Sequence, residues 1–112
     1  MMTVQEAIDL WIAYRQRMAQ LSLVAESTVH NQRRIASDLA AAFGAKDVGT
    51  LRKSDLDIWV GERLQTHAPV TVRAEMNVLR QILNWCVDEG HLGARPRLPT
   101  VQVPVVETAL PS

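Results

Sequence analysis

Arg73, Asn77, Arg80 and Asn84 recur every three or four residues along one stretch of this chain. These are the side chains with the clearest chemistry in the sequence. A guanidinium forks onto a phosphate or a guanine edge, and a carboxamide pairs with an adenine edge. At about 100° per residue, and with Leu79 as the centre of the inner face, all four fall roughly 100–160° away, on one outer stripe. No acid interrupts that stripe before Asp88. A second basic stripe lies upstream, where His30, Arg33 and Ser37 stand opposite Leu39 and Phe43 and Arg34 flanks them. Any amphipathic helix needs a polar outer face, so the stripes alone do not fix a function.

Both stripes follow the same local pattern, 43 positions apart. Ala25-Glu26-Ser27-Thr28-Val29-His30 opens the first and Ala68-Pro69-Val70-Thr71-Val72-Arg73 the second. Thr28 and Thr71 fall in first helical turns, where hydroxyls and free amides receive phosphate oxygens. Lys46, Arg52 and Lys53 make a further basic point beside Asp47 and Asp55. Of these, Lys53 joins the candidate contacts, while the neighbouring acids favour a solvated loop.

Four helices must position these residues. Helix one is expected over Val4–Gln20, opened by the capping box Thr3-Val4-Gln5-Glu6, with Val4, Ala7, Ile8, Trp11, Ile12 and Met18 as its apolar stripe. Helix two is expected over Glu26–Phe43, with Ile35, Ala36, Leu39, Ala42 and Phe43 inward and Gly44 left-handed at its end. Helix three is expected over Lys53–Thr66, with Leu56, Trp59, Val60 and Leu64 inward and Asp55 and Asp57 favoured by the dipole of its first turn. Helix four is expected over Pro69–Glu89. Pro69 sits where its missing amide costs nothing, and Gly90 supplies the stop. Its core stripe is Val72, Met76, Leu79, Leu83 and Cys86, with Ile82 on the flank. Residues 1–93 thus read as one helical domain. From Ala94 to Ser112 the chain turns proline-bearing, and Val101, Val103, Val105 and Val106 favour extended backbone. This stretch reads as a semi-rigid linker toward a domain not present here. Arg95 and Arg97 either follow a ligand's backbone or solubilise that linker.

A chain of 112 residues with 47% apolar and 21% charged residues is an ordinary soluble globular composition. No run approaches the ~20 apolar residues of a membrane span, so no membrane partner is expected. The N-terminus lacks the basic and apolar regions of a secretory signal. The single cysteine, Cys86, excludes an internal disulfide and fits a reducing cytoplasm. It falls on the buried stripe and reads as a small hydrophobe. The formal net charge of zero is unusual for a nucleic-acid binder, but a neutral total is compatible with a cationic face balanced by acids elsewhere.

Catalytic arrangements are absent. His30, His67 and His91 share no cysteine or acid at ligand spacing, so neither a metal nor a cofactor is expected. There is no Gly-rich phosphate loop, nucleophile elbow or paired-carboxylate site. Tyr14, the only tyrosine, has no cluster of arginine or histidine beside it and reads as packing. Trp11, Trp59 and Trp85 read as core anchors, with Trp85 placed to meet helix one or a partner subunit. Glu75 falls close to the inner face, where Arg15 or Arg63 is its natural partner.

Taken together, Thr71-Val72 through Leu79-Arg80-Gln81-Ile82-Leu83-Asn84-Trp85-Cys86-Val87-Asp88-Glu89-Gly90-His91-Leu92, Phe43-Gly44, Leu51-Arg52-Lys53-Ser54-Asp55-Leu56 and the exit Arg95-Pro96 resemble the N-terminal core-binding (SAM-like) domain of tyrosine recombinases, the phage-integrase family. The likeness spans roughly Thr3 to Pro99. It departs at Arg52, Ala25 and Ala68, where the family often has a Ser or Thr cap, and at Gln32, where an aromatic is common. The resemblance implies an all-α, four-helix orthogonal bundle with an extended C-terminal linker. It also implies a non-catalytic clamp that grips double-stranded DNA with helices two and four, and a catalytic domain that follows in the family and is missing from this chain. The contacts it implies are Thr28, His30, Arg33, Arg34, Lys53, Thr71, Arg73, Asn77, Arg80 and Asn84. Self-association on DNA stays open. The competing readings are a helical protein-interaction module, using Trp85, Ile58 and the linker, and a small helix-turn-helix regulator, which the 43-residue separation fits poorly.

Overall fold

The structure, a computed structural model, describes residues 2–103. The calls on Pro104, Val105, Val106 and Pro111 lie outside the described residues. Four α-helices make up the fold: α1 (Val4–Gln20), α2 (Glu26–Phe43), α3 (Lys53–Arg63) and α4 (Pro69–Asp88). A 3-10 turn at Val48–Thr50 lies between α2 and α3. No strand occurs among the described residues, and the chain is an all-α four-helix bundle. No helix is long and apolar enough to cross a membrane.

The capping box of α1 forms as its sequence requires. The Glu6 amide donates to Thr3 Oγ1 at 3.1 Å, and the Thr3 amide donates to Glu6 Oε1 at 2.9 Å. The Thr3 amide first, and the Thr3 hydroxyl second, hold the Glu6 carboxyl below the ordinary glutamate range. The same end of α1 is tied to the α2–α3 loop. The Val4 amide donates to the Lys46 carbonyl (2.8 Å), Gln5 to Gly44 (3.1 Å) and Val48 to Met2 (2.8 Å).

α1 and α4 end in the same way. In α1 the Leu23 amide reaches Met18 O (2.9 Å) and Ser22 reaches Ala19 O (3.0 Å). In α4 the His91 amide reaches Cys86 O (2.8 Å) and Gly90 reaches Val87 O (3.1 Å). Both are Schellman motifs, which need a left-handed residue. Gly90 supplies it at φ 78° and Ser22 at φ 60°.

Gly44 corrects the expectation made for it. Its φ of −54° and ψ of −35° are right-handed, and its amide continues the helical pattern to Ala40 O at 2.8 Å. Glycine is needed here for close approach. A Cβ would meet the Ala40 carbonyl oxygen and come within 3.3 Å of the Gln5 side chain.

α3 is shorter than its apolar spacing suggests. It stops at Arg63, whose carbonyl receives the amides of Thr66 (3.1 Å) and His67 (2.8 Å). Pro69 forces the preceding Ala68 into extended backbone, at ψ 147°, so the chain must leave the helix early enough to turn. Leu64 is therefore left 41% exposed instead of inward.

The core is built from Val4, Ala7, Ile8 and Trp11 of α1, Val29, Ile35, Ala36, Leu39 and Phe43 of α2, Leu56 and Val60 of α3, and Val72, Met76, Val78, Leu79, Ile82, Leu83 and Cys86 of α4. Burial raises the pKa of the Cys86 thiol. Ile12, Met18 and Trp59 are half-buried at the margin, and Ala42, expected inward, is exposed. Phe43 takes Trp59 at a centroid distance of 5.7 Å. Trp85, half-buried, makes tilted ring contacts with Tyr14 of α1 (5.7 Å) and His91 (5.6 Å).

Two polar side chains lie inside. Gln32 accepts from Arg15 Nε at 3.1 Å and donates to Gln81 Oε1 at 3.4 Å, which links α1, α2 and α4. Glu75 takes both Arg63 Nε (3.1 Å) and Arg63 Nη2. Of the two arginines open to Glu75 from its position, Arg63 is the partner.

After Gly93 the backbone has no regular structure through Val103, as the prolines dictate. It does not leave the bundle directly, however. Val101 is 8% exposed and belongs to the core, with Leu92 and Leu98 packed against it.

Candidate nucleic-acid interface

The outer stripe of α4 folds as its spacing implies. Arg73, Arg80 and Asn84 are exposed and Asn77 is half-buried. Arg80 Nη2 donates to Asn77 Oδ1 at 2.7 Å. Arginine carries donors only, so Asn77 Oδ1 is the acceptor, with one lone pair engaged and its amide NH2 free. Bidentate pairing with adenine needs both ends of a carboxamide. In this arrangement Asn77 orients Arg80. α2 repeats the device one helix away, with Arg34 Nη2 donating to Asn31 Oδ1 at 2.9 Å.

The stripe forms one wall of a recess of about 1330 Å³. The exit segment, from Arg95 and Arg97 to Val103, lines the same recess. Lys53 also lines it, and Met76, Leu98 and Val101 contribute apolar surface. Five cations, Lys53, Arg73, Arg80, Arg95 and Arg97, line this space, and among the described residues no carboxylate does. Lys53 is partly satisfied already, since its Nζ lies 3.0 Å from Asp57 Oδ2 one turn along α3. No aromatic side chain lines the recess either. A stacking platform for unpaired bases is therefore missing from it.

The remaining candidates gather elsewhere. Arg34 and Thr71 share a hollow of about 270 Å³ with Arg63, Asp38 and Glu75. His30 and Arg33 face the α1 side of α2, in a hollow with Gln16, Gln20 and Glu26. Arg33 also borders the α1–α2 groove beside Asp9 and Ser37. Thr28 is exposed on the first turn of α2. Both α2 and α4 start at an alanine with no side-chain cap. Five of the candidates are thus brought together, on α4 and at the start of α3, while those of α2 sit among acids.

Three residues of the recess escaped the reading of the spacing. Gln81 lies on its edge and carries the hydrogen-bond chain from Gln32. Thr100 and Gln102 belong to the exit segment. The apolar positions Leu98 and Val101 were the available signal that this segment docks. Among the described residues no group of His, Cys, Asp and Glu is placed to hold a metal ion.

No family model matches the chain, and no curated protein or solved structure matches it.

Proposed function

We propose that this chain grips duplex DNA through its nucleic-acid backbone, as the non-catalytic clamp domain of a tyrosine recombinase or integrase. The observation that carries the reading is the recess on α4, which five cations line and, among the described residues, no carboxylate. Guanidinium groups spaced along a helix suit successive phosphates, and contacts of that kind position a protein without reading sequence. The absence of aromatics in the recess favours a paired duplex over an unstacked strand. The resemblance of Thr71 through Leu92 to core-binding domains agrees with α4 as the DNA-facing helix. On this reading the strand-breaking chemistry belongs to a separate catalytic domain, and the chain itself binds weakly because it neutralises few phosphates. The competing interaction-module reading uses Trp85, Ile58 and the linker: Trp85 is half-buried beside Tyr14 and His91 and Val101 of the linker docks on the bundle, while Ile58 is exposed.

The test is fluorescence anisotropy with a labelled duplex across a salt series. With about four phosphate contacts, log K should fall against log salt with a slope of roughly −3 to −4. Arg73→Ala/Arg80→Ala should flatten it by about 2 units. An unchanged slope in that variant overturns the site. Absence of binding at low salt, with concentration-dependent self-association instead, supports the interaction module.

A further inference from the structure

Arg95 and Arg97 reach the recess only because the exit segment lies along α4, and the means of its attachment is unusual. Among the described residues no backbone hydrogen bond joins residues 94–103 to the helices. The side-chain bond within it is local, from Arg95 Nη1 to the Pro96 carbonyl at 3.5 Å. The attachment is apolar: Val101 is 8% exposed within the core, and Leu98 packs against that core. Pro96 and Pro99 stiffen the intervening chain, so a fixed Val101 also fixes where the two arginines stand.

The charges work against this docking. It places Arg95 and Arg97 in one recess with Arg73 and Arg80, with no carboxylate among the described lining residues. Like charges so arranged repel, and a polyanion between them removes the repulsion. Docking of the segment and binding of a polyanion must therefore favour each other by the same factor.

The geometry points to a clasp: Val101 is an apolar pin that docks the 94–103 strap against α4, so that Arg95 and Arg97 complete a groove for a nucleic-acid backbone that tightens the strap when bound. The clasp rests on the DNA-gripping reading above. It adds that Val101, which carries no charge and is largely buried, is the positioning residue for half of the arginines in the groove.

A mutant cycle on the full chain tests it, read by anisotropy with the same labelled duplex. The four proteins are wild type, Val101→Ser, Arg95→Ala/Arg97→Ala, and the combination of all three changes. Val101→Ser should weaken binding roughly tenfold or more near 0.1 M salt and reduce the salt slope by about 2 units, as the double arginine change does. The combined variant should bind no more weakly than either, because residues that act as a unit are not additive. Circular dichroism checks that Val101→Ser keeps its helices. Should it not, Val101→Ala carries the same cycle with a smaller step. Wild-type affinity and slope in the Val101 variant overturn the clasp. So do losses that multiply in the combined variant, or tighter binding on release of the strap. In those cases the DNA-gripping reading survives provided Arg73→Ala/Arg80→Ala still loses salt-sensitive binding. Failure of the wild type to bind the duplex overturns both.

Discussion

Replacing Arg63 by alanine is the change expected to damage this fold most through a single contact. Glu75 is 2% exposed on α4, and both of its carboxylate oxygens are taken by the Arg63 guanidinium. Arg63 stands in the last turn of α3, 21% exposed at its side chain, with Asp38 of α2 at 3.8 Å and its guanidinium over the Trp59 ring at 5.2 Å. α3 buries only Leu56 and Val60 of its own. The arginine is thus a principal tie of α3 to the helices beneath it. Removing one partner of a buried ion pair costs about 3–5 kcal/mol, because the other charge is left without compensation. A domain of this size has roughly 5–15 kcal/mol in total, so Arg63→Ala should remove about a fifth of the stability or more. In Tm that is a fall of more than about 10 °C.

The partner change should cost less. Glu75→Gln keeps an acceptor for Arg63 and leaves the arginine near Asp38 and partly in water, so about 1–2 kcal/mol is expected. Arg63→Met/Glu75→Leu removes both charges and should be closer to wild type than Arg63→Ala alone, since well-packed apolar replacements of buried pairs are often neutral. Urea unfolding followed by tryptophan fluorescence measures all three, with the m-value as the check that only stability has changed. A cost below about 1 kcal/mol for Arg63→Ala would refute the reasoning. It would mean that water or another donor reaches the Glu75 carboxylate and that α3 is held by its two apolar side chains.

Two further effects follow from the helix ends. Ser22 holds a left-handed conformation at φ 60° where the equivalent turn of α4 uses Gly90, so Ser22→Gly should stabilise by a few tenths to about 1 kcal/mol, read as a rise in Tm. A fall in Tm would show that the flexibility glycine adds to the unfolded chain outweighs the relieved strain. The Glu6 carboxyl has its folded pKa lowered by the Thr3 amide and hydroxyl. Its contribution to stability is therefore complete above the ordinary glutamate range and is lost as the pH falls through the depressed value. Wild type should exceed Glu6→Gln in stability at neutral pH and converge with it in acid; a gap independent of pH would assign the difference to something other than the carboxylate.

Where one local rule decides an element, the sequence was enough. The Thr3 box and the apolar stripes placed α1 and α2 at the bounds they have. The rules misled where a residue type has two uses. Gly44 was assigned a left-handed end because glycine often marks one, but its lack of a side chain serves a close pass by the Ala40 carbonyl. Ser22 takes the left-handed role that its type disfavours. Gln32 was hidden by its polarity, since a buried amide is tolerable only with the partners Arg15 and Gln81, which come from helices distant in sequence. The candidate site divides in the same way. The α4 stripe is a consequence of 3.6-residue periodicity and could be read directly. That Arg95 and Arg97 join it depends on where Val101 docks, and extended, proline-bearing backbone fixes its own shape without fixing the surface it lies on.

Net charge is the feature that weighed most against nucleic-acid binding, and the structure changes its weight. The chain has twelve basic and twelve acidic residues. The α4 recess takes five of the basic ones and none of the acidic ones that the structure describes. The acids are spent in identifiable ways: Glu6 in the α1 cap, Asp47 and Asp55 on loop and α3 amides, Asp57 on Lys53, Asp38 and Glu75 on Arg63. Each of these is a partner within the fold, although Asp57 is held by Lys53 at the recess itself. A ligand approaching α4 meets a local field set by what lies within about 10 Å at ordinary ionic strength, since charges farther off are screened. Neutrality of the whole molecule then limits long-range attraction, and with it the rate of encounter, more than it limits the grip once contact is made. On the proposed DNA-gripping reading, such a charge arrangement suits a short-lived hold on one stretch of backbone.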